Sequence, residues 1–174
     1  MLPMWKTQEE VQTFLRLVGG RVKTTLLLET KEAVECIDRV LDAGGFDEIH
    51  IGLNDLHLAY GLDFMFELLT NGTVEALCDQ FRRAGIPYGF GGIARIGEGM
   101  LPAEKVIMEH YRLGSTRAIL SRSFCNTEII TDIHEIDAVF GENMKKLRDF
   151  EKSIAYSDAQ DYRKNRDDVC GCVE

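Results

Sequence analysis

Short apolar runs that favour β-strands alternate along this chain with longer stretches whose apolar residues repeat at helical spacing. The strand-like runs lie at 22–29, 47–52, 86–91 and 116–121, and residues 1–4 resemble the end of a further strand. Helices are predicted from about Thr7, over 30–43, over 60–84 with a break at Asn71-Gly72, over 102–113 and over 135–156. Such alternation predicts an α/β fold with a parallel sheet.

The composition is that of an ordinary soluble globular protein. The chain has 174 residues, of which 45% are hydrophobic and 28% charged, enough for one domain with a core. Its apolar runs are too short to span a bilayer, and its first ten residues lack the regions of a signal peptide, so we expect a cytoplasmic location and no membrane partner. A net charge of −9 argues against general binding of nucleic acids, whose phosphates would be repelled.

The domain prediction is one α/β domain over 1–156, followed by a polar and loosely held tail over 157–174. Five cysteines, an odd number scattered along the chain, do not form a disulfide framework. Cys170 and Cys172 make a CxC pair in the tail without further ligands nearby, so we expect exposed thiols open to oxidation rather than a zinc site.

The number of strands leaves two architectures open. A closed (β/α)₈ barrel needs eight strands and typically about 250 residues, and only about five strands are predicted here. The chain is therefore either an open parallel sheet or the carboxyl part of a barrel.

Two acidic residues follow neighbouring strands, Glu29 after the first long run and Asp55 after the second. The carboxyl ends of adjacent parallel strands meet in one crevice, where α/β proteins place their chemistry. Two hard oxygen ligands with room for water suit Mg²⁺ or Mn²⁺ better than zinc. The alternatives are a helix cap or ion pair for Glu29, and an Asx-turn or helix N-cap for Asp55.

A glycine-rich segment over 89–99 follows the next strand and is expected on the same rim. Its glycines allow backbone to approach a ligand, and Arg95 can pair with a carboxylate or phosphate of a substrate. The alternative for Arg95 is an ion pair with Glu98. Ser121 ends the last predicted strand on this rim. The spacing is not that of a dinucleotide-binding fingerprint.

Residues 26–61 resemble the core motif of the HpcH/HpaI aldolase and citrate lyase β-subunit family. The resemblance is carried by Glu29-Thr30 at the end of an apolar strand, by the stretch 51–56 with the sequence IGLNDL, and by the separation of the two acids. Leu53 stands where the family usually has proline.

This resemblance implies a (β/α)₈ barrel, of which the chain would contain about strands 4–8. It also implies that Glu29 and Asp55 are ligands of Mg²⁺ or Mn²⁺, and that the backbone amides of Asn54 and Asp55 hold the substrate carboxylate. Together with the rim residues, the candidate substrate contacts are Asn54, Asp55, Arg95 and Ser121. Arg95 is the candidate catalytic residue.

The function implied by the resemblance is that of a metal-dependent carbon–carbon lyase of the class II aldolase type. It would act on a small 2-oxo acid through a metal-stabilised enolate. The family's catalytic arginine and histidine lie on earlier strands, so we expect an incomplete site and association, typically as a homo-oligomer. The second hypothesis is a non-catalytic metal- and oxo-acid-binding or assembly protein. A third is an isomerase or phosphate-binding enzyme on an open sheet.

Overall fold

The alternating pattern folds into an α/β structure around a four-stranded sheet, in a computed structural model that describes residues 1–173. The strands lie side by side in chain order, and β2 pairs in parallel with both β1 and β3. Their bounds are Thr25–Leu28 (β1), Glu48–Ile51 (β2), Tyr88–Ile93 (β3) and Arg117–Leu120 (β4). The predicted α/β class is confirmed.

Helices occupy most of the remaining described chain, and none of them is both long and apolar enough to cross a membrane. Their bounds are Gln8–Val18 (α1), Lys31–Glu35 (α2), Ile37–Ala43 (α3), Leu53–Tyr60 (α4), Glu67–Thr70 (α5), Thr73–Ala84 (α6), Ala103–Leu113 (α7), Ile133–Ile154 (α8) and Ala159–Val173 (α9).

Two helices differ from the sequence-based prediction. The segment before residue 60 was expected to be a loop, but it forms α4 because Leu53 and Leu56 bury one face of that helix almost completely. The tail expected over 157–174 to be loose contains α9, whose Asn165 and Val169 are buried. In both cases tertiary burial stabilises a helix that local sequence signals did not indicate.

The chain divides into two compact units. The first unit contains Met1–Gly91 and Leu113–Ala118, and the second contains Gly92–Arg112 and the chain from Ile119 onward.

In the first unit, the two faces of the sheet differ in character. Leu26 and Leu28 of β1 and Ile49 and Ile51 of β2 are fully buried at 0% exposure. Because side chains alternate along a strand, these residues share one face, and the register aligns Leu26 with Ile49. Leu27 lies on the opposite face and is only half-buried. One face of the sheet thus forms the apolar core, and the other is less covered.

The less covered face carries a polar cluster centred on Glu48. The Thr25 hydroxyl and the Arg117 guanidinium each donate to the Glu48 carboxylate over 2.7 Å. The Arg117 contact, followed by that of Thr25, holds the pKa of the Glu48 carboxyl below its ordinary value. Gly89 lies between the strands involved, and a Cβ there would overlap the Arg117 carbonyl group. Glycine is therefore needed at this position for close strand approach.

Residues 2–5, here called the strap, run beside β1. The strap begins as an isolated parallel bridge in which Leu2 exchanges two backbone hydrogen bonds of 2.9 Å with β1. It ends at Trp5, which is 2% exposed and whose carbonyl accepts a 2.7 Å hydrogen bond from the Thr30 hydroxyl. The strand end expected near residues 1–4 is confirmed at Leu2.

In the second unit, a buried polar network joins α9 to α7. Glu109 is 0% exposed and forms an ion pair of 2.8 Å with Arg112. The side-chain amide of Asn165 donates to Glu109 over 3.0 Å and to the carbonyl of Lys105 over 3.1 Å. At the surface, Lys105 pairs with Asp168 at 2.9 Å. A buried carboxylate with charged and neutral donors explains why a polar segment docks as a helix.

We expect Asn165→Ala to lower the free energy of unfolding by about 1–3 kcal/mol, because a buried carboxylate oxygen and a carbonyl lose their donor. Urea unfolding followed by circular dichroism measures this change. The exposed neighbour Lys164 provides the control, since Lys164→Ala should leave the midpoint nearly unchanged. Equal midpoints for the Asn165 variant and wild type would contradict this account of α9.

Candidate functional site

Glu29 immediately follows β1 and carries a buried carboxylate, 4% exposed. One of its oxygens, Oε1, accepts a 2.9 Å hydrogen bond from the backbone N–H of Met4 in the strap. Burial raises the pKa of the Glu29 carboxyl, the Met4 hydrogen bond opposes that rise, and the negative charge of Asp55 adds to it. The alternative of a helix cap does not apply, because the cap of α2 is Thr30.

Asp55 is exposed and is the third residue of α4. Asp55 was expected at the end of β2. Because α4 starts directly after β2, the acid lies about one helical turn beyond that strand end. The N-cap of α4 is Gly52, so Asp55 is not the cap. An acid in the first turn is favourable for the helix dipole, and the negative charge of Asp55 also contributes to the raised pKa of Glu29.

Gly52 leaves space beside the Glu29 carboxylate. A Cβ built on Gly52 would lie 2.7 Å from Oε2 and 2.9 Å from the Cβ of Glu29. Since real Cβ atoms do not approach so closely, any larger residue would displace the acid. The glycine of the IGLNDL stretch thus forms a cradle for Oε2 of Glu29.

The amino end of α4 supplies unused backbone donors next to these acids. No side chain caps this helix, and the amide of Leu56 makes the 3.0 Å bond to the carbonyl of Gly52. The amides of Leu53, Asn54 and Asp55 therefore have no acceptor within the helix. Such amides favour an anion, and Asn54 is exposed.

Arg95 and Ser121 lie in the second unit and both contact Phe124. The Nε of Arg95 donates to the Phe124 carbonyl over 2.7 Å, and the amide of Phe124 donates to the Ser121 carbonyl over 2.9 Å. Arg95 also lies 3.9 Å from Glu98, in the ion pair that the sequence left as its alternative role. The Ser121 hydroxyl is 2.6 Å from that of Ser123. Substrate contact by Arg95 and Ser121 stays a prediction.

The two histidines of the first unit are buried and bonded to backbone. The Nε2 of His50 lies 2.9 Å from the carbonyl of Gly91, and burial lowers the pKa of its imidazole. The Nδ1 of His57 lies 3.2 Å from the carbonyl of Leu53 within α4. His50 is thus a packed residue of β2, and His57 is a buried residue of α4.

The donor set fits a hard divalent cation. Two carboxylates are the kind of donor set that matches Mg²⁺ or Mn²⁺, which bind through one or two protein carboxylates and keep several waters. Within residues 1–173, no group of three or more histidine, cysteine or acidic side chains is arranged to hold a metal ion. A cation at Glu29 and Asp55 would therefore take its other ligands from water, backbone or substrate.

No family model matches the chain. A search of curated proteins finds no match either.

Sequence reasoning missed two parts of this site. Met4 acts through its backbone amide, for which no residue type is a signal. Gly52 was quoted within the family-like stretch, but its role as a cradle depends on how close α4 comes to the end of β1. The only sequence signal for this role was that Gly52 directly precedes the first turn of α4, which contains Asp55.

We expect Glu29→Gln to unfold at a higher urea midpoint than wild type above neutral pH, because it removes a buried charge while its amide oxygen can still accept the Met4 bond. The raised native pKa means that the native state holds a proton that the unfolded state releases. The gain in unfolding free energy of the variant should therefore grow as pH rises from the unfolded-state pKa of Glu29 to its higher native pKa. The slope is at most about 1.4 kcal/mol per pH unit, and the gain should vanish at low pH.

The exposed acid Glu35 provides the control for loss of one negative charge, since Glu35→Gln should show no comparable gain. A Glu29→Gln variant less stable than wild type at pH 8 would mean that the buried charge is well compensated.

Proposed function

We propose that this chain binds a Mg²⁺-type cation through Glu29 and Asp55 and, on a small 2-oxo acid, acts as a carbon–carbon lyase. The observation that carries the proposal is the buried carboxylate of Glu29 packed against Gly52, with Asp55 in the first turn of the helix that follows this glycine. Among residues 1–173 no ion pair involves this buried acid, an arrangement that is unfavourable for stability and typical of a functional group. The likeness of residues 26–61 to the HpcH/HpaI aldolase family supports the same reaction class.

The finer fold that we propose is part of a (β/α)₈ barrel, corresponding to strands 4–8. It is supported by the chain-order arrangement of parallel strands. A doubly wound sheet instead reverses its strand order at a switch point, where its ligand binds. The short bridge at Leu2 adds a further parallel neighbour to β1 in the same order.

The residues of the first unit would divide the work of binding between them. The amides of Asn54 and Asp55 would hold the carboxylate of the oxo acid at the positive end of α4. Glu29 and Asp55 would hold the cation, which as a Lewis acid supplies stabilisation of negative charge developing on the substrate. The burial of Glu29 strengthens these electrostatic interactions relative to bulk water. Arg95 and Ser121 keep the roles predicted from the sequence.

The second candidate is a protein that binds the cation and the oxo acid without turnover. It is favoured by the state of His50 and His57, which are buried and bonded to carbonyl groups, so that neither is presented as a free proton carrier. General acid–base catalysis contributes typically 10²–10⁴-fold, so its loss would leave binding but little activity.

Titration with Mn²⁺ by calorimetry tests the binding step. Wild type should bind one Mn²⁺, and Glu29→Ala and Asp55→Ala should each weaken binding by at least about tenfold. Glu35→Ala, at an exposed acid outside the site, should bind as wild type does. Equal affinity in wild type and Glu29→Ala would rule out Glu29 as a ligand.

The same samples then separate the two candidate functions. Release of pyruvate from a 4-hydroxy-2-oxo acid, dependent on Mg²⁺ and lost in Glu29→Ala, would support the lyase. Binding of Mg²⁺ and oxalate without any such release would support the non-catalytic protein.

We also propose self-association, because one face of the sheet in the first unit is incompletely covered and Arg117 of β4 is exposed. Parallel sheets are normally covered on both faces. Sedimentation velocity should show a species of at least twice the chain mass of 19.7 kDa. A stable, well-folded monomer at micromolar concentration would contradict this expectation.

A further inference from the structure

Met4 has a backbone conformation that needs an explanation. Among residues 1–173 it alone combines a positive φ, 52°, with a side chain other than glycine. This region is unfavourable for a residue with a Cβ, and such strain persists only where surrounding contacts impose it. The Met4 side chain is 55% exposed, so packing of that side chain does not impose it.

The contacts on both sides of Met4 do impose it. Leu2 is held by two backbone hydrogen bonds to β1, and Trp5 is buried and bonded to Thr30. With the strap held at both ends, the left-handed turn at Met4 directs its N–H at Oε1 of Glu29 over 2.9 Å. The strained backbone at Met4 therefore holds the carboxylate of Glu29 through this hydrogen bond.

The opposite side of the same carboxylate faces Gly52. The φ of Gly52 is −81°, which any residue can adopt, so glycine is not required there for backbone conformation. It is required for space, because a Cβ would lie 2.7 Å from Oε2. Oε1 thus has a fixed donor, and Oε2 lies close to the backbone of Gly52.

We infer that the strap and Gly52 are positioning elements that restrict Glu29 to coordination through Oε2 alone, so that the site selects Mg²⁺ and Mn²⁺ over Ca²⁺. The inference deepens the proposed function and rests on it. Mg²⁺ takes single oxygens in an octahedral shell and retains waters, whereas Ca²⁺ takes six to eight oxygens, commonly with carboxylates bound through both. A carboxylate with one oxygen already bonded to Met4 suits the coordination of Mg²⁺ and not that of Ca²⁺.

Alanine substitution of two glycines tests the cradle. Gly52→Ala should weaken Mn²⁺ binding by about tenfold or more, as for loss of a group that orients a ligand. Gly141, in α8 with nothing within 4 Å of a Cβ, is the matched control, and Gly141→Ala should leave affinity unchanged. Wild-type Mn²⁺ affinity in Gly52→Ala would overturn the role of Gly52.

Two substitutions of Met4 test the strap without relying on its side chain. Met4→Gly keeps the amide and adopts a positive φ without strain, so Mn²⁺ affinity should be retained. Met4→Pro removes the amide hydrogen and fixes φ near −65°, so affinity should fall. A loss in both variants, or in neither, would overturn the positioning role of the Met4 amide.

Hydrogen exchange of the Met4 amide in the wild-type protein tests whether this amide stays bonded to Glu29 when the cation binds, even if a variant fails to fold. With Mg²⁺ bound, the amide should stay protected and Ca²⁺ should bind at least about tenfold more weakly than Mn²⁺. Exposure of this amide on Mg²⁺ binding, or equal affinity for Ca²⁺, would overturn the inference while leaving the cation site intact. Absence of any Mn²⁺ or Mg²⁺ binding by wild type would instead overturn the proposed function itself.

Discussion

The rest of the site depends on the burial of the Glu29 carboxylate at the end of β1. An acid taken out of water is unfavourable unless it finds hydrogen-bond donors, and here the donor is the amide of Met4. The strap is held along β1 by Leu2 and Trp5, its left-handed turn at Met4 directs this amide at Glu29, and Gly52 lacks a side chain that would overlap the same carboxylate. The loss of stability that results from burying the Glu29 carboxylate is typical of residues kept for ligand binding.

The sheet provides the rigid support for this arrangement. Its apolar face is fully buried, so the register between β1 and β2 cannot slip without exposing Leu26 and Ile49. That register brings the end of β2, and with it Gly52, next to Glu29. The opposite face carries the Glu48 cluster near the amino ends of β1 and β2, and Glu29 follows the carboxyl end of β1.

Much of the fold could be predicted because hydrophobic periodicity decides strands and helices locally. The order of elements, the parallel sheet and the start of a helix near Thr7 all follow from such patterns. Predictions were wrong where packing overrides local signals. The stretch that begins α4 was expected to be a loop, and the segment containing α9 was expected to be loose, because the burial of Leu56 and Asn165 depends on distant partners.

The sequence by itself determined that two acids follow neighbouring strands, since strand ends and residue identities are local properties. Only the tertiary structure decided that Glu29 is buried, that Asp55 belongs to a helix, and that one oxygen of Glu29 accepts a bond from Met4 while the other lies against Gly52. The physical reason is that the deciding partners are a backbone amide 25 residues away and the missing side chain of a glycine. Neither has a residue-type signature, and both act only after the chain has folded.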